Sequence, residues 1–354
     1  MSSTIGVRRV RVPFRVPFET AAGTWVARDS LLVELRDDSG ARGIGEAPID
    51  GALSTVTLTA HVQRVLDGDD AGVPEALRHA VASGVGGALL DLAPPPEPVA
   101  TAVRAGVAVN ATIAALDIDE TVAASVAAVA DGYLTLKLKA GSRESSTGLA
   151  ERLRAVRSAI GQGIALRLDV NGTWDADGAV ERLRALEAVE LQYVEQPLAV
   201  GARGATARLR TMTRVPIAAD EAVTSPDIAL DLVRAEAVDV LVVKPARVGG
   251  PAAVAAIAIS AAAHGVPVVV SSMFETGVGL AAAIACASIL PDVPGWPAAD
   301  RAHGLATGGV LKHDLLVVPL VLAGGWIRAP FRGAGGGLGI TLDEAAVERY
   351  AVDA

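Results

Sequence analysis

From about residue 106 onward, short runs of β-branched and aliphatic residues alternate with amphipathic stretches. The runs are VAVNATI, YLTLKLKA, IALRLDVN, LQYVEQP, VPIAADE, VDVLVVKP and VPVVVSS. Between them the apolar positions keep helical spacing, as in Leu149, Leu153, Val156 and Ile160, and again in Val180, Leu183 and Leu186. Strand and helix that succeed each other every 25 to 30 residues, roughly, predict a parallel sheet. Seven or eight such units in series favour closure into a barrel.

The first hundred residues lack this rhythm. They open with VRRVRVPFRVPF and continue through a hairpin-like segment from Ser30 to Ile49, whose two β-rich runs meet at Asp37, Asp38, Ser39 and Gly40. Helical stretches follow around 56–66 and 74–92, and the prolines 94, 95, 96 and 98 mark a stop or a linker. An α+β unit is expected there. After residue 290 the pattern loosens into a Gly-rich stretch, a short strand and a helix beginning near Asp343, placed to return to the first unit. The expected architecture is α/β: a (β/α)7β TIM-like barrel over 106–320, with an α+β capping domain formed by 1–105 and completed by 321–354.

With 51 % apolar residues and only 3 % aromatics, the core must be built from Ala, Val, Leu and Ile. A net charge of −9 gives no reason to expect a nucleic-acid partner. The Arg-broken N-terminal segment does not read as a signal peptide, and the most apolar region, 251–270, is interrupted by His264, Gly265 and Pro267. A cytoplasmic protein with no membrane span is expected, with homo-oligomerisation left open. Cys286 stands alone among small apolar neighbours, as a buried structural thiol would. Lysine is scarce: Lys137, Lys139, Lys244 and Lys312 are the only four, against twenty-seven arginines. Since Arg does not give up its proton and Lys can be tuned to do so, the surviving lysines attract suspicion of proton chemistry, Lys312 in its turn-like setting least.

Barrel active sites form at strand C-termini, and here five successive strands end in ionisable groups. These are Lys137 and Lys139, then Asp169, Glu195, Asp220 with Glu221, and Lys244. Side-chain alternation puts Lys137 and Lys139 on one face. Asp169, Glu195 and Asp220, one βα unit apart, are expected to converge in the barrel mouth, where a hard divalent cation relieves their repulsion. An oxygen-only ligand set points to Mg²⁺, with Mn²⁺ as the substitute. Lys139 and Lys244 flank the carboxylates and would face a bound small-molecule carboxylate from opposite sides. The chemistry this suits is removal of a proton α to a carboxylate, with the enolate stabilised electrostatically. Burial and the neighbouring Lys137 are expected to make Lys139 a usable base. A non-catalytic metal-binding barrel is the reading from another class; two amines facing one metal argue against it.

The motifs LKLKAG, RLDVNGTW, YVEQPL, IAADEAV and VVKPARVGG resemble, in order, those of the muconate-lactonising-enzyme subgroup of the enolase superfamily, and GIGEAPI resembles its capping-domain hairpin. The resemblance implies metal ligands Asp169, Glu195 and Asp220, catalytic Lys139 and Lys244, Asn171 beside the metal, and Arg167 on the same rim. The seventh strand carries VVVSSMFETGVGL and lacks the His base of mandelate-racemase-like members. WPAADRAHGL lacks the Asp-x-Asp of dipeptide epimerases. Ser271 and Ser272 before ETGVGLAAAIA resemble the o-succinylbenzoate synthase and N-succinylamino acid racemase family, in which this region, Met273 included, contacts the succinyl group. The implied activity is the syn dehydration of menaquinone biosynthesis. Racemase, epimerase and cycloisomerase chemistry are the alternatives. A loop of the cap from Phe14 to Trp25 would close over the mouth, with Phe18 touching substrate. Phe14 and Phe18 suit the cap core equally well, and Ser271 and Ser272 equally suit caps for the following helix.

Overall fold

The computed structural model describes residues 4–20, 23–49, 55–93, 106–142, 144–328 and 337–352. The proline run after residue 93 lies outside them. Strands β1 (Thr4–Thr20), β2 (Gly23–Arg36) and β3 (Arg42–Pro48) form an antiparallel sheet in that order. The expected hairpin is the β2–β3 pair, turned by Asp37, whose carboxylate accepts the N–H groups of Ser39 and Ala41. Leu31, Val33 and Leu35 alternate with Leu32, so both faces of this sheet are apolar. One face packs on helices α1 (Thr55–Asp67) and α2 (Glu75–Leu92). The other, through Val10, Val12, Phe14 and Leu32, packs on Leu311, Leu315 and Leu316 of the barrel side. Gly45 makes the first of these contacts close: a Cβ there would lie 1.9 Å from the Gly84 carbonyl oxygen of α2.

The segment from Phe14 to Trp25 is strand for most of its length, not the loop expected. Register is lost between Pro13 and Phe18 and regained at Phe18 opposite Trp25. Pro17 within the segment, like Pro13 just before it, is tolerated because β1 is an edge strand of this sheet. The side chain of Phe18 lies outside the described residues.

After the short β4 (Val107–Ala108), the parallel sheet runs through seven strands in sequence order. They are β5 (Ala111–Ile113), β6 (Thr135–Lys139), β7 (Ala165–Asp169), β8 (Tyr193–Glu195), β9 (Ile217–Ala219), β10 (Val240–Val243) and β11 (Val268–Val270). The intervening helices are α3 (Ile118–Ala130), α4 (Ser146–Ile160), α5 (Ala176–Leu186), α6 (Arg203–Thr211), α7 (Pro226–Arg234), the one-turn α8 (Pro245–Val248) and α9 (Pro251–Ala262). Side-chain caps from Asp117, Ser145, Asp175 and Ser225 start four of them. Helix α10 (Gly277–Ser288) follows β11.

Two residues close the ring. His303 bridges Val109 and Gly304 bridges Ser271, both in parallel sense, so the first and last strands are joined through a minimal eighth strand. The His303 ring Nδ1 accepts the Val270 N–H at 3.0 Å, a side chain serving where a strand carbonyl ordinarily would. Burial, with Arg167 and Arg301 nearby, drives the imidazole pKa down to about 3, so it stays neutral and keeps that acceptor.

The segment 321–354, expected to complete the cap, divides. Hairpin β12 (Val321–Ala323) and β13 (Trp326–Arg328) pairs with β4 instead, because Trp326 and Ile327 register against Ala108 and Val107. The rest reaches the cap: the Leu338 N–H donates to Asp91 of α2 at 2.9 Å, and after helix α11 (Glu344–Tyr350), begun by Asp343, where Glu344 meets Arg8 and Arg42, Val352 bonds Arg9. Cys286 is buried in α10, and His264 caps its own helix end through Ser260. No helix among the described residues is long and apolar enough to cross a membrane.

Candidate active site

Parallel register aligns the chemistry. Lys139 pairs with Asp169 and Asp169 with Glu195, forming one row across β6, β7 and β8 at their C-terminal ends. Asp220 follows β9 and Lys244 follows β10, extending the row. The three carboxylates are each at most 2 % exposed. Lys137 donates from one Nζ to Asp169 Oδ2 and Glu195 Oε1, both at 3.0 Å. Lys139 Nζ meets the same Asp169 Oδ2 at 2.7 Å and Asn171 Oδ1 at 2.9 Å. At the far end, Lys244 Nζ and Arg247 Nη1 hold the two oxygens of Asp220 at 2.6 and 2.8 Å. Glu221 accepts the Asn171 amide at 2.9 Å, which links it through Asn171 to Lys139.

These contacts sort the protonation states. Burial disfavours charge on Lys137, but Asp169, Glu195 and Asp220 overcome it and hold the ammonium well above its usual range. Burial likewise opposes ionisation of Asp169 and Asp220, and the adjacent ammonium and guanidinium groups win, holding both below the usual range. Glu195 goes the other way: burial, then Asp169 and Asp220, push its carboxyl up to about 7 against the pull of Lys137. Asp169 Oδ2 bonds the Nζ of both Lys137 and Lys139.

The carboxylates do not converge on one point as the sequence led us to expect. Each is turned to a cationic side chain, and among the described residues no three acidic, His or Cys side chains stand ready to enclose a metal ion. The donor set still fits a hard divalent cation: three buried carboxylates on consecutive strand ends, without sulfur or imidazole. Glu195, whose carboxyl is pushed up by two like charges, has less positive charge around it than its burial demands.

Arg167 is not on the rim. It precedes Asp169 by two residues, so it faces the barrel interior one layer deeper, fully buried, stacked over Tyr193 at 4.8 Å and bonded to Gln192, Asn110 and the Ala302 carbonyl. Ser271 and Ser272 are buried at the end of β11; Ser272 Oγ lies 2.7 Å from Thr307 Oγ1. Neither caps α10, a task taken by Thr276. Met273 is part-exposed in the same loop.

Two supporting residues were invisible in the sequence reading, one of them inside a quoted motif. Gln196, in VEQP, takes a left-handed φ of 43° directly before a proline, and its buried amide oxygen accepts the N–H groups of Asp220 and Ala222, both at 3.1 Å. It thereby ties the end of β8 to the end of β9. Arg152 of α4 is fully buried, paired with Glu144 and donating to the Lys139 carbonyl at 3.0 Å, which fixes the end of β6. A cavity of about 310 Å³ between α6 and α7, lined by Thr206, Ile228 and Leu232, lies behind Gln196 and includes none of the row.

A ring of parallel strands, closed by a minimal eighth, whose C-terminal ends carry acids between two lysines beneath an antiparallel cap, is the architecture of the enolase superfamily. The chain belongs to it: residues 120–346 match the family described as Enolase C-terminal domain-like. Among curated proteins, the chain is 42 % identical over 220 residues to the o-succinylbenzoate synthase of Thermobifida fusca (strain YX), covering 62 % of this chain and 65 % of that protein. It is 39 % identical over 225 residues to the o-succinylbenzoate synthase of Mycobacterium tuberculosis (strain ATCC 25618 / H37Rv), covering 63 % of each. The matched region therefore spans just under two thirds of these relatives. Among solved structures, muconate lactonizing enzyme from Pseudomonas fluorescens superposes with a TM-score of 0.82 at 24 % identity, over 99 % of this chain and 98 % of the other, a likeness of fold. The L-Ala-D/L-Glu epimerase from Bacillus subtilis gives a TM-score of 0.76 at 26 % identity, over 95 % and 98 %.

Proposed function

We propose that this chain is an o-succinylbenzoate synthase, removing water from a succinyl-substituted hydroxycyclohexadiene carboxylate to give the aromatic product. The observation that carries the chemistry is the row Lys139–Asp169–Glu195–Asp220–Lys244, with an amine at each end and buried acids between. The curated relatives carry the choice of substrate. Asp169, Glu195 and Asp220 would hold Mg²⁺, with Mn²⁺ as substitute, and once bound it supplies electrostatic stabilisation of the charge that develops on the substrate carboxylate. Asn171 and Glu221 position Lys139.

Lys139 is the base. Its side chain is 26 % exposed toward the mouth, against 11 % for Lys137 and 14 % for Lys244. In its neutral form it takes the proton α to the carboxylate, the electron pair moves into the ring, and the hydroxyl on the same face leaves with that proton as water. Lys244, across the row, meets the negative charge from the other side. Lys137, held as a cation by two carboxylates, offsets their charge and has no free pair for proton transfer. Formal charge at the mouth balances: Lys137, Lys139, Lys244 and Arg247 oppose Asp169, Glu195, Asp220 and Glu221. A divalent cation and a dicarboxylate substrate then add equal and opposite charge.

Two lysines on opposite sides also suit two-base exchange, so N-succinylamino acid racemase activity is the second reading. Both are tested by incubating purified protein and Mg²⁺ with the cyclohexadiene substrate, N-succinylamino acids, dipeptides and muconolactones. Aromatisation followed in the ultraviolet supports the synthase, and deuterium entering both enantiomers of an N-succinylamino acid supports the racemase. Turnover confined to dipeptides or muconolactones rejects the two together.

A further inference from the structure

The loop from Ser271 to Thr276 is fastened at two ends by different parts of the molecule. At the barrel end, Ser271 bridges Gly304 and Ser272 meets Thr307. At the other end the fastening comes from the cap. Glu46 of β3, only 3 % exposed, accepts Thr276 Oγ1 at 2.6 Å, Thr276 N–H at 3.1 Å and Gly279 N–H at 3.0 Å. Ser30 Oγ of β2 donates to the same carboxylate at 2.6 Å, which holds it to the cap sheet.

A carboxylate from a different unit thus fills the role that the N-cap side chain usually performs for itself. Thr276 Oγ1 reaches Val278 N–H at only 3.4 Å, whereas Glu46 bonds the Gly279 N–H of the first turn at 3.0 Å and places a negative charge at the positive end of α10. Asp314 takes the remaining donor, Gly277 N–H, at 2.8 Å. Phe14 of the cap also meets this loop, its ring edge-to-face with that of Phe274 at 5.8 Å.

We propose that Glu46 is a positioning residue for substrate recognition: it fixes the Ser271–Thr276 loop from the cap, so that docking of the cap and the shape of the substrate cavity are set together. The inference rests on the function proposed above and on the family resemblance, which implies that this loop contacts the succinyl group. Glu46 does not touch the reacting atoms. Its loss therefore acts on the group held by the loop and leaves the α-proton chemistry at Lys139 alone.

The test is E46Q, which keeps shape and replaces one acceptor oxygen by a donor facing N–H groups. The Mg²⁺-loaded protein is titrated calorimetrically with o-succinylbenzoate and with benzoate, and KM and kcat are measured for the cyclohexadiene substrate. A weakening of o-succinylbenzoate binding and a rise in KM of about tenfold are expected, ~1.4 kcal/mol, with kcat within about twofold and benzoate binding unchanged. S30A, which removes only the cap-side anchor, is expected to shift the same quantities in the same direction by less, and it decides the matter if E46Q does not fold. Unchanged affinity and KM, or an equal fall for both ligands, overturns the proposal. Wild-type protein that neither binds nor converts the synthase compounds defeats the functional reading instead. Hydrogen–deuterium exchange across 271–280, which needs no substrate, then decides: faster exchange in E46Q supports the positioning role and unchanged exchange refutes it.

Discussion

Replacing Lys137 by Met separates the structural lysine from the catalytic one. The substitution keeps an unbranched side chain of similar length and removes the charge and both hydrogen bonds, to Asp169 and Glu195 at 3.0 Å each. Charge-assisted hydrogen bonds contribute roughly 1.5–3 kcal/mol apiece. Removing one partner of a buried ion pair costs about 3–5 kcal/mol, because the other charge stays behind without compensation. Asp169 retains Lys139, whereas Glu195 loses its one side-chain donor among the described residues, so about 4 kcal/mol is the reasonable centre. Unfolding entropy of ~2.1 cal/mol/K per residue gives ~0.74 kcal/mol/K for 354 residues. A loss of about 4 kcal/mol then lowers the thermal midpoint by roughly 5 °C.

The assay is thermal unfolding of wild type and K137M in chelator and again in saturating Mg²⁺. Chelator exposes the full deficit. Saturating Mg²⁺ is expected to raise the midpoint of K137M more than that of wild type, since a divalent cation bound by the same carboxylates replaces the missing charge. A K137M protein within about 1 °C of wild type in chelator, or one that Mg²⁺ stabilises no more than wild type, refutes the assignment of Lys137 as the counter-charge of this row.

K139R keeps a cation but no removable proton, and is expected to lower turnover by at least 10³-fold, roughly, while circular dichroism and Mg²⁺ affinity stay as in wild type; retained α-proton exchange in deuterium oxide would contradict this. Q196A frees the N–H groups of Asp220 and Ala222 and is expected to weaken Mg²⁺ binding by about tenfold in a metal titration and to lower the midpoint under chelator by roughly 3–5 °C, since two donors lose their acceptor. Glu275 is buried, and its carboxyl is pushed up to about 7 by that burial and by Glu46 on β3, with Arg28 on β2 pulling the other way and Asp314 reaching the adjacent Gly277 N–H. A raised carboxyl stabilises the fold below its unfolded value and loses that contribution as pH rises through 7, so wild type is expected to lose about 3 kcal/mol relative to E275Q between pH 4.5 and 8. Parallel denaturation curves of the two proteins across that window would reject the shift.

What the sequence disclosed were features fixed by local rules. Strand alternation and strand-end position brought Lys139, Asp169, Glu195, Asp220 and Lys244 together because parallel register propagates a row once the strands are recognised. Arg167, put on the rim by the resemblance alone, is corrected by that rule: two residues of strand are one layer of barrel. Features set by distant contact were not legible. Glu46 meets its helix from 230 positions away, and nothing in GIGEAPI distinguishes a carboxylate aimed at another unit from a solvated one. The eighth strand, expected from the (β/α)7β reading, has no apolar run of its own because two residues suffice for it and a histidine ring replaces part of its ladder. Phe14 to Trp25 was expected as a loop of the cap closing over the mouth, and only the sheet order reveals an edge strand.

The cap does not sit evenly on the barrel. Glu46 holds the start of α10, His79 of α2 bonds the Arg247 carbonyl at 2.9 Å, and α2 presses so closely on Gly250 that a Cβ there would come within 2.7 Å of Ser83 Cα. All three contacts fall beside the ends of β10 and β11, next to Lys244, Arg247 and the Ser271–Thr276 loop. None involves β6 or β7. The end of β6 is braced instead from the barrel's own side, by Arg152 on the Lys139 carbonyl. Rigid anchoring on one flank and an open, locally braced amine on the other match the division of labour proposed above, in which Lys244 and the adjoining loop hold what Lys139 must reach. The GG of VVKPARVGG follows from the same asymmetry: it lets a helix of the cap lie directly against the turn that carries Lys244, so a bulkier residue at Gly250 would lift the cap from exactly the flank on which recognition depends.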